Sequence, residues 1–442
     1  MLLDLPPEIF NQIINEKSHI RTLKNLAEAS KALHRHLLPL LHRDFRISFR
    51  NNDVTQIHIP GFVKTYFKED GTKDIVNCLK FAKNVEIGRR HQLAATTISG
   101  LCQYVQIPVG AGLMIETEIR TKADQIHWDN MVRTGRQIIS ALLYIPKNSL
   151  EKFSWNISLC EPPDIFGSAG YLLTHQSRHI KAIELNGNSY CRCHSPPEVL
   201  SELKHLRHLS WVVHPWNAES NRLMNGLYHS IESLELSSFS QEPMYMLLSR
   251  QPLYFLFDQS ARWLRLRSLS LNYLWFGPFV HDMGLLTVIG QLRSLKLLHC
   301  AYTLFFLEEV VKQNIVVRLK SFEIGLSEMA ELVVFRGDAQ TTPQKVLEDF
   351  LLSFDGLEEL YIWGLIQRPG SPRVTLENGI LNHKSTLRRL VHHWRALVDD
   401  ESNTHTWICE HPLRWHKCAD MVLQNLNLVC FGFTMVPYLL VC

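Results

Sequence analysis

LRSLSL at residues 266–271 decides how this chain is read: an apolar residue, two others, an apolar residue, one other and a last apolar residue. Leu269 and Leu271 alternate around Ser270, the two-residue period of a short strand with one buried face. The phrase returns as LRSLKL at 292, LKSFEI at 319, LEELYI at 357 and LRRLVH at 387. Before it stand LEKFSW at 150, IKAIEL at 180, LRHLSW at 206 and IESLEL at 231. VTQIHI at 54 and LQNLNL at 423 fit as well, while AKNVEI at 82 is weak because its first position is only Ala82. Successive copies begin 25 to 38 residues apart, except between 82 and 150, where one unit is missing or disguised.

Helical patterns fill the intervals. PEVLSELK precedes LRHLSW, and TPQKVLEDFLLSF precedes LEELYI, with Thr342 and Pro343 supplying a cap and a first-turn proline. A strand and then a helix, repeated at this interval, stacks into parallel strands with helices outside. The expected architecture is an α/β solenoid with a curved parallel sheet inside, since an ordinary α/β sheet has no reason to repeat one phrase. Residues between the inward positions then face the concave surface. They are small and polar midway (Ser268, Ser270 and Asn272 in one copy) and aromatic and cationic towards the end. Tyr361, Trp363 and Arg389 are the expected target contacts, because Tyr, Trp and Arg carry much of the energy at interfaces.

The first residues follow a different pattern. In LPPEIFNQII, Pro7 and Glu8 suit the first turn of a helix, and Ile9, Phe10, Ile13 and Ile14 form an apolar stripe. A second helix is predicted from Thr22, with Leu23, Leu26 and Ala27 on one side. Ser30 is placed to cap a third, KALHRHLLPLL, carrying Leu33, Leu37 and Leu40, which Pro39 should kink or end. Three short helices bury little, and Ile9 and Phe10 point about 100° apart. The surplus apolar surface implies either a partner or docking on the following domain.

LPPEIFNQII followed by NLAEASKALHRHLLPLLHRDF resembles an F-box over residues 2–46, and the phrases downstream resemble irregular leucine-rich repeats. The resemblance implies an α+α/β chain: a three-helix F-box over 1–46, a linker with weak first repeats over 47–149, and a leucine-rich-repeat solenoid over 150–442. It implies docking on the SKP-type adaptor, and through it a cullin, of an SCF-type ubiquitin ligase. The adaptor-facing residues it implies are Leu5, Pro6, Ile9, Ile13, Leu26, Ala29, Ser30 and Leu33. Ala29, Ser30 and Leu33 stand where the family usually has a valine, a cysteine and an aromatic. Docking is weakened by the lost apolar area at about 25 cal/mol per Å². The function implied is substrate recognition for the ligase, with an unknown protein as target. A non-ligase scaffold and a repeat scaffold held to a membrane by its tail are the alternatives.

Composition narrows the classes further. A hydrophobic share of 46% and a charged share of 20% describe a folded chain, and a net charge of +3 gives no reason to expect a nucleic-acid partner. Ten dispersed cysteines, with no charged-then-apolar segment before Asp4, lead to an expectation of reduced thiols in the cytoplasm or nucleus. The sequon Asn156-Ile157-Ser158 would then go unused. Residues 421–442 carry no charge, but Gln424, Asn425, Asn427 and Pro437 favour a last buried strand, closed by Phe431, Phe433 and Tyr438, over a membrane span. Two Cys/His clusters (Cys191, Cys193 and His194; Cys409, His411, His416 and Cys418) have the wrong spacing for zinc. No nucleophile elbow, phosphate loop or dinucleotide turn occurs, so neither a cofactor nor an activity of the chain's own is expected.

Overall fold

The structure, a computed structural model, describes residues 20–49, 79–89, 113–157, 161–186, 199–213, 227–238, 263–276, 284–326, 342–367, 376–399, 405–408 and 424–433. It divides into two compact units, Met1–Ser210 and Trp211–Cys442.

The first unit opens with helices α1 (Ile20–Ala29) and α2 (Lys31–Leu41). Leu23, Ala27 and Leu37 bury together, and Leu26, Leu33, Leu40 and Leu41 pack around them. Ser30 has the extended backbone of an N-cap, but its side chain makes no capping bond. Pro39 does not end α2, which runs on to Leu41. Its missing N–H leaves the Arg35 carbonyl without its usual intrahelical donor, and the helix still continues for two residues. The expected opening helix, with Leu5, Pro6, Ile9 and Ile13, lies outside the described residues.

Strands β1 (Asp44–Phe49), β2 (Asn84–Arg89), β3 (Lys152–Asn156) and β4 (Ala182–Leu185) pair in parallel, each with its neighbour in the chain. Strand β5 (His208–Val213) begins at the end of this unit. In the second unit β6 (Ser233–Ser238), β7 (Ser268–Asn272), β8 (Ser294–Leu298), β9 (Ser321–Gly325), β10 (Glu359–Gln367) and β11 (Arg389–Asp399) do the same. Two strands share the outer edge of β11. Strand β12 (His405–Ile408) is antiparallel to its second half, and β13 (Cys430–Phe433) is parallel to its first. Parallel strands taken in chain order, joined through helices, are the arrangement of an α/β solenoid.

One hydrogen-bond device recurs along the strands of each unit. The carbonyl of the second phrase residue accepts two consecutive N–H groups from the next copy. Glu151 O accepts from Lys181 and Ala182 at 2.8 and 3.0 Å, Arg267 O from Arg293 and Ser294 at 2.7 and 3.0 Å, and Arg293 O from Lys320 and Ser321 at 2.7 and 3.0 Å. The first, fourth and sixth phrase positions are buried in the nine copies from 150 to 387, as where Leu266, Leu269 and Leu271 are each 0% exposed.

That device corrects the sequence reading in three places. AKNVEI at 82 is a full copy, with Ala82, Val85 and Ile87 all buried. Of the two readings left open for the interval after it, the unit is missing from the sheet: Asn84 pairs directly with Lys152, and the described part of the interval holds the 30-residue helix α3 (Leu113–Leu142). An unrecognised copy, HRDFRI, forms β1: Arg43 O accepts from Lys83 and Asn84 at 2.8 and 3.0 Å. The last strand is not LQNLNL at 423 but LVCFGF at 428. Arg388 O accepts from Val429 and Cys430 at 2.8 and 3.2 Å, and only the second phrase reaches β11. Phe431 is half-exposed there and does not close a core. VTQIHI at 54 and Tyr438 lie outside the described residues.

Short helices cover one face of the strands: α4 (Pro163–Phe166), α5 (Val199–Glu202), α6 (Leu285–Ile289), α7 (Thr303–Lys312), α8 (Pro343–Leu352) and α9 (Glu377–Asn382). Thr342 caps α8 as expected, its hydroxyl accepting from Lys345 N at 3.2 Å. Aromatic contacts seat the helices. Phe166 meets Phe153 and Trp155 edge-on at 5.7 and 5.5 Å, and Phe350 meets Phe322 at 5.2 Å. On the opposite face, the alternating positions of β7 are half-exposed. Among the described residues, no helix is long and apolar enough to cross a membrane.

Candidate binding face

Alternation along each strand decides which side chains reach the open face. In β7 the order is half-exposed Ser268, buried Leu269, half-exposed Ser270, buried Leu271 and half-exposed Asn272. Register then aligns these residues from strand to strand. Ser233, Ser268, Ser294 and Ser321 form one row, with Glu359 and Arg389 continuing it. Glu235, Ser270, Lys296, Glu323, Tyr361 and Val391 form the row above.

In the first unit this face is closed upon itself. Arg46 Nη2 stands 3.2 Å from Glu86 Oε1, and Asn156 Nδ2 donates to that same oxygen at 3.5 Å. Asn186 Nδ2 donates to Asn156 Oδ1 at 2.7 Å. Lys152 pairs with Glu184, whose other oxygen accepts from Ser154 Oγ at 2.7 Å. Ser154 was expected to be open and is 2% exposed, because this network covers it. The side chain of sequon residue Asn156 is held on both sides.

The second unit is arranged differently. Arg389 Nη1 lies 2.9 Å from Glu359 Oε1, and its guanidinium also donates to the Tyr361 phenol oxygen. These partners push the arginine pKa further up, the Tyr361 bond first and the Glu359 charge second. Glu359 also accepts from Ser321 Oγ at 3.2 Å. Lys296 pairs with Glu323 at 3.0 Å. Arg389 is therefore held by both Glu359 and Tyr361.

Trp363 turns away from them. Its ring meets His299 edge-on at 4.8 Å and 89°, and His299 stacks on Tyr273 at 4.7 Å and 15°. Sequence reasoning missed Tyr273 and His299 because both come one residue after a strand, where the alternation has stopped. Both have positive φ, 54° and 52°, which turns the chain back sharply. The available signal was an aromatic ring after the last open-face position, in LNY at 271 and LLH at 297.

Of the expected adaptor contacts that are described, Leu26 and Leu33 are half-buried against the helix-pair core, Ser30 is half-exposed and Ala29 is exposed. Among the described residues no group of three His, Cys, Asp or Glu side chains is placed to hold a metal. Both Cys/His clusters lie outside those residues. Buried Cys300 is pushed up to about 12 by desolvation, so its thiol stays protonated and unreactive. No protein-family model and no curated protein matches the chain.

Proposed function

We propose that this chain is the substrate-recognition subunit of an SCF-type ubiquitin ligase. Residues 1–46 would hold the SKP-type adaptor and, through it, a cullin, while the open face of the strand array would hold a protein target. The action is positional: the target's lysines are raised in effective concentration near the ligase's charged carrier, and no residue of this chain performs chemistry. Its place would be the cytoplasm or nucleus.

One observation carries this reading. A helix pair with its own small apolar core, Leu23, Ala27 and Leu37, stands ahead of a parallel strand array whose alternate positions, as in β7, are half-exposed. Leu26 and Leu33 are only half-buried on that pair, so apolar surface remains for a partner. Exposed Ala29 and half-exposed Ser30 offer little area, and this keeps adaptor affinity modest.

Affinity capture of the full chain tests the proposal. Pro6→Ala with Ile9→Ala should abolish recovery of the adaptor and the cullin while leaving thermal unfolding of the array nearly unchanged. If the double variant instead melts the array, the N-terminal helices are its cap and the docking reading fails. Adaptor recovered without a cullin would favour a non-ligase scaffold.

A further inference from the structure

The second residue of each phrase comes just before its strand, and in the second unit these residues line one edge of the sheet. The backbone bonds between copies set them side by side in the order Glu232, Arg267, Arg293, Lys320, Glu358 and Arg388, all exposed. Neighbouring strands are about 4.8 Å apart. Arg267, Arg293 and Lys320 therefore put three like charges in consecutive places, which repel one another. Folding does not require this, because an exposed position accepts a neutral side chain equally well. Arg265 and Arg318, two residues before Arg267 and Lys320, are exposed as well. Among the described residues, Arg265, Arg293 and Arg318 have no ion-pair partner. Lys320 is held by Glu358 at 3.0 Å, and Arg267 spends one nitrogen on Gln291 O at 3.1 Å. Two apolar side chains share the edge, Leu264 at 64% and Val316 at 68% exposure. Gln291 Nε2 donates to the carbonyl of Trp263, next to Leu264, and a Cβ added at Gly290 would stand 3.0 Å from Val316 O. The Gly290–Gln291 step thus lies between the two apolar residues, and Gly290 puts no side chain there.

We propose that this edge docks a short acidic segment of a protein partner, a run of Asp or Glu that also carries an apolar residue. Four of the five cations are arginine, and a guanidinium fork takes a carboxylate through two parallel bonds. The cations are spread over three copies, two strand spacings or about 10 Å. A single compact anion such as phosphate reaches only part of that span, whereas successive carboxylates reach across it. Glu232 and Glu358 border the patch on its two sides and limit the acidic run to a few residues. Leu264 and Val316 give the segment's apolar residue a place beside the charges. A nucleic acid would not use them, and Tyr228, Trp263 and Phe354 at this edge are buried and unable to stack on bases. Two apolar side chains are also too few to hold the edge in a bilayer surface. The row precedes the strands and is separate from the face read as the target surface, so the proposal does not depend on the ligase reading.

Fluorescence anisotropy of a labelled Gly/Ser peptide bearing three glutamates and one leucine, titrated with the full-length chain, tests it. At low salt this peptide should bind roughly tenfold tighter than its glutamine counterpart, and added salt should shrink the difference. Replacing its leucine by serine should weaken binding roughly fivefold. Arg293→Gln should also weaken it roughly fivefold, with the thermal unfolding midpoint unchanged or raised. Lys181→Gln, at the same phrase position in the first unit and equally exposed, should leave binding as it is. Equal binding of the glutamate and glutamine peptides, or an equal loss in the two variants, would overturn the proposal. So would displacement of the peptide by equimolar inorganic phosphate, tighter binding of a single-stranded oligonucleotide or of phosphatidylserine vesicles, or no binding at all.

Discussion

Single side chains hold the joints of this repeat. Gln176 is fully buried and makes four bonds. Its carbonyl accepts from Ser149 N and Leu150 N at 3.0 and 3.1 Å, and its amide donates to Pro146 O and Tyr171 Oη at 3.0 and 2.9 Å. The Tyr171 hydroxyl donates onward to Leu142 O at 2.9 Å, tying the end of α3 to the turn before β3. Gln176→Leu keeps the volume and strands these groups, so it should cost about 3 kcal/mol, read as a lower urea midpoint. Desolvation pushes the Tyr171 phenol up to about 12 from 10.0. Its contribution is whole below pH 10 and disappears as pH rises towards 12, because only the unfolded chain ionises in that window. The stability gap between wild type and Tyr171→Phe should therefore shrink across that range; a constant gap would refute the coupling. His383 has the opposite sign. Burial pushes its pKa below 6.5, so the native state resists protonation and stability falls with pH below that value. His383→Gln should flatten the acid limb of an unfolding-midpoint profile.

At the scale of elements, the stability of each strand depends on the helix lying over it. Helix α8 is too short to be stable alone, and its buried side, Val346, Leu347, Phe350 and Leu351, does the anchoring. Phe350 sits between Phe322 of β9 at 5.2 Å and Phe354 at 5.3 Å. Phe350→Ala should cost about 4 kcal/mol, since the aromatic cluster cannot collapse onto a methyl group. Calorimetric unfolding would show this as a lowered transition, and a shift no larger than that of a surface substitution would contradict the packing. On the open face the elements do less for stability. The Lys296–Glu323 and Arg389–Glu359 pairs are partly exposed and contribute little. Their value is in presenting charge at fixed positions.

Across the whole molecule, an array of strands must end somewhere, and an unpaired last strand is a hazard. The edge of β11 is occupied by β13 over Arg389–His392 and by antiparallel β12 over Ala396–Asp399. Removing residues 421–442 should uncover the first of these stretches and cause concentration-dependent association, seen by light scattering. A truncated chain that stays monomeric would show that β13 does not protect the edge. By itself the sequence determined which residues are buried: the recurring apolar spacing names Leu266, Leu269, Leu271 and their counterparts, because a strand with one buried face admits no other period. It also placed Tyr361 and Arg389 between the buried positions, where they are half-exposed and exposed. Only tertiary structure decided between the overlapping phrases at 423 and 428, since both have the right spacing and only a partner's carbonyl distinguishes them. The ring cluster was likewise invisible beforehand. Tyr273 and His299 lie where the strand period has ended, and His299, stacked on Tyr273, meets Trp363 only through backbone turns and a missing side chain at Gly325.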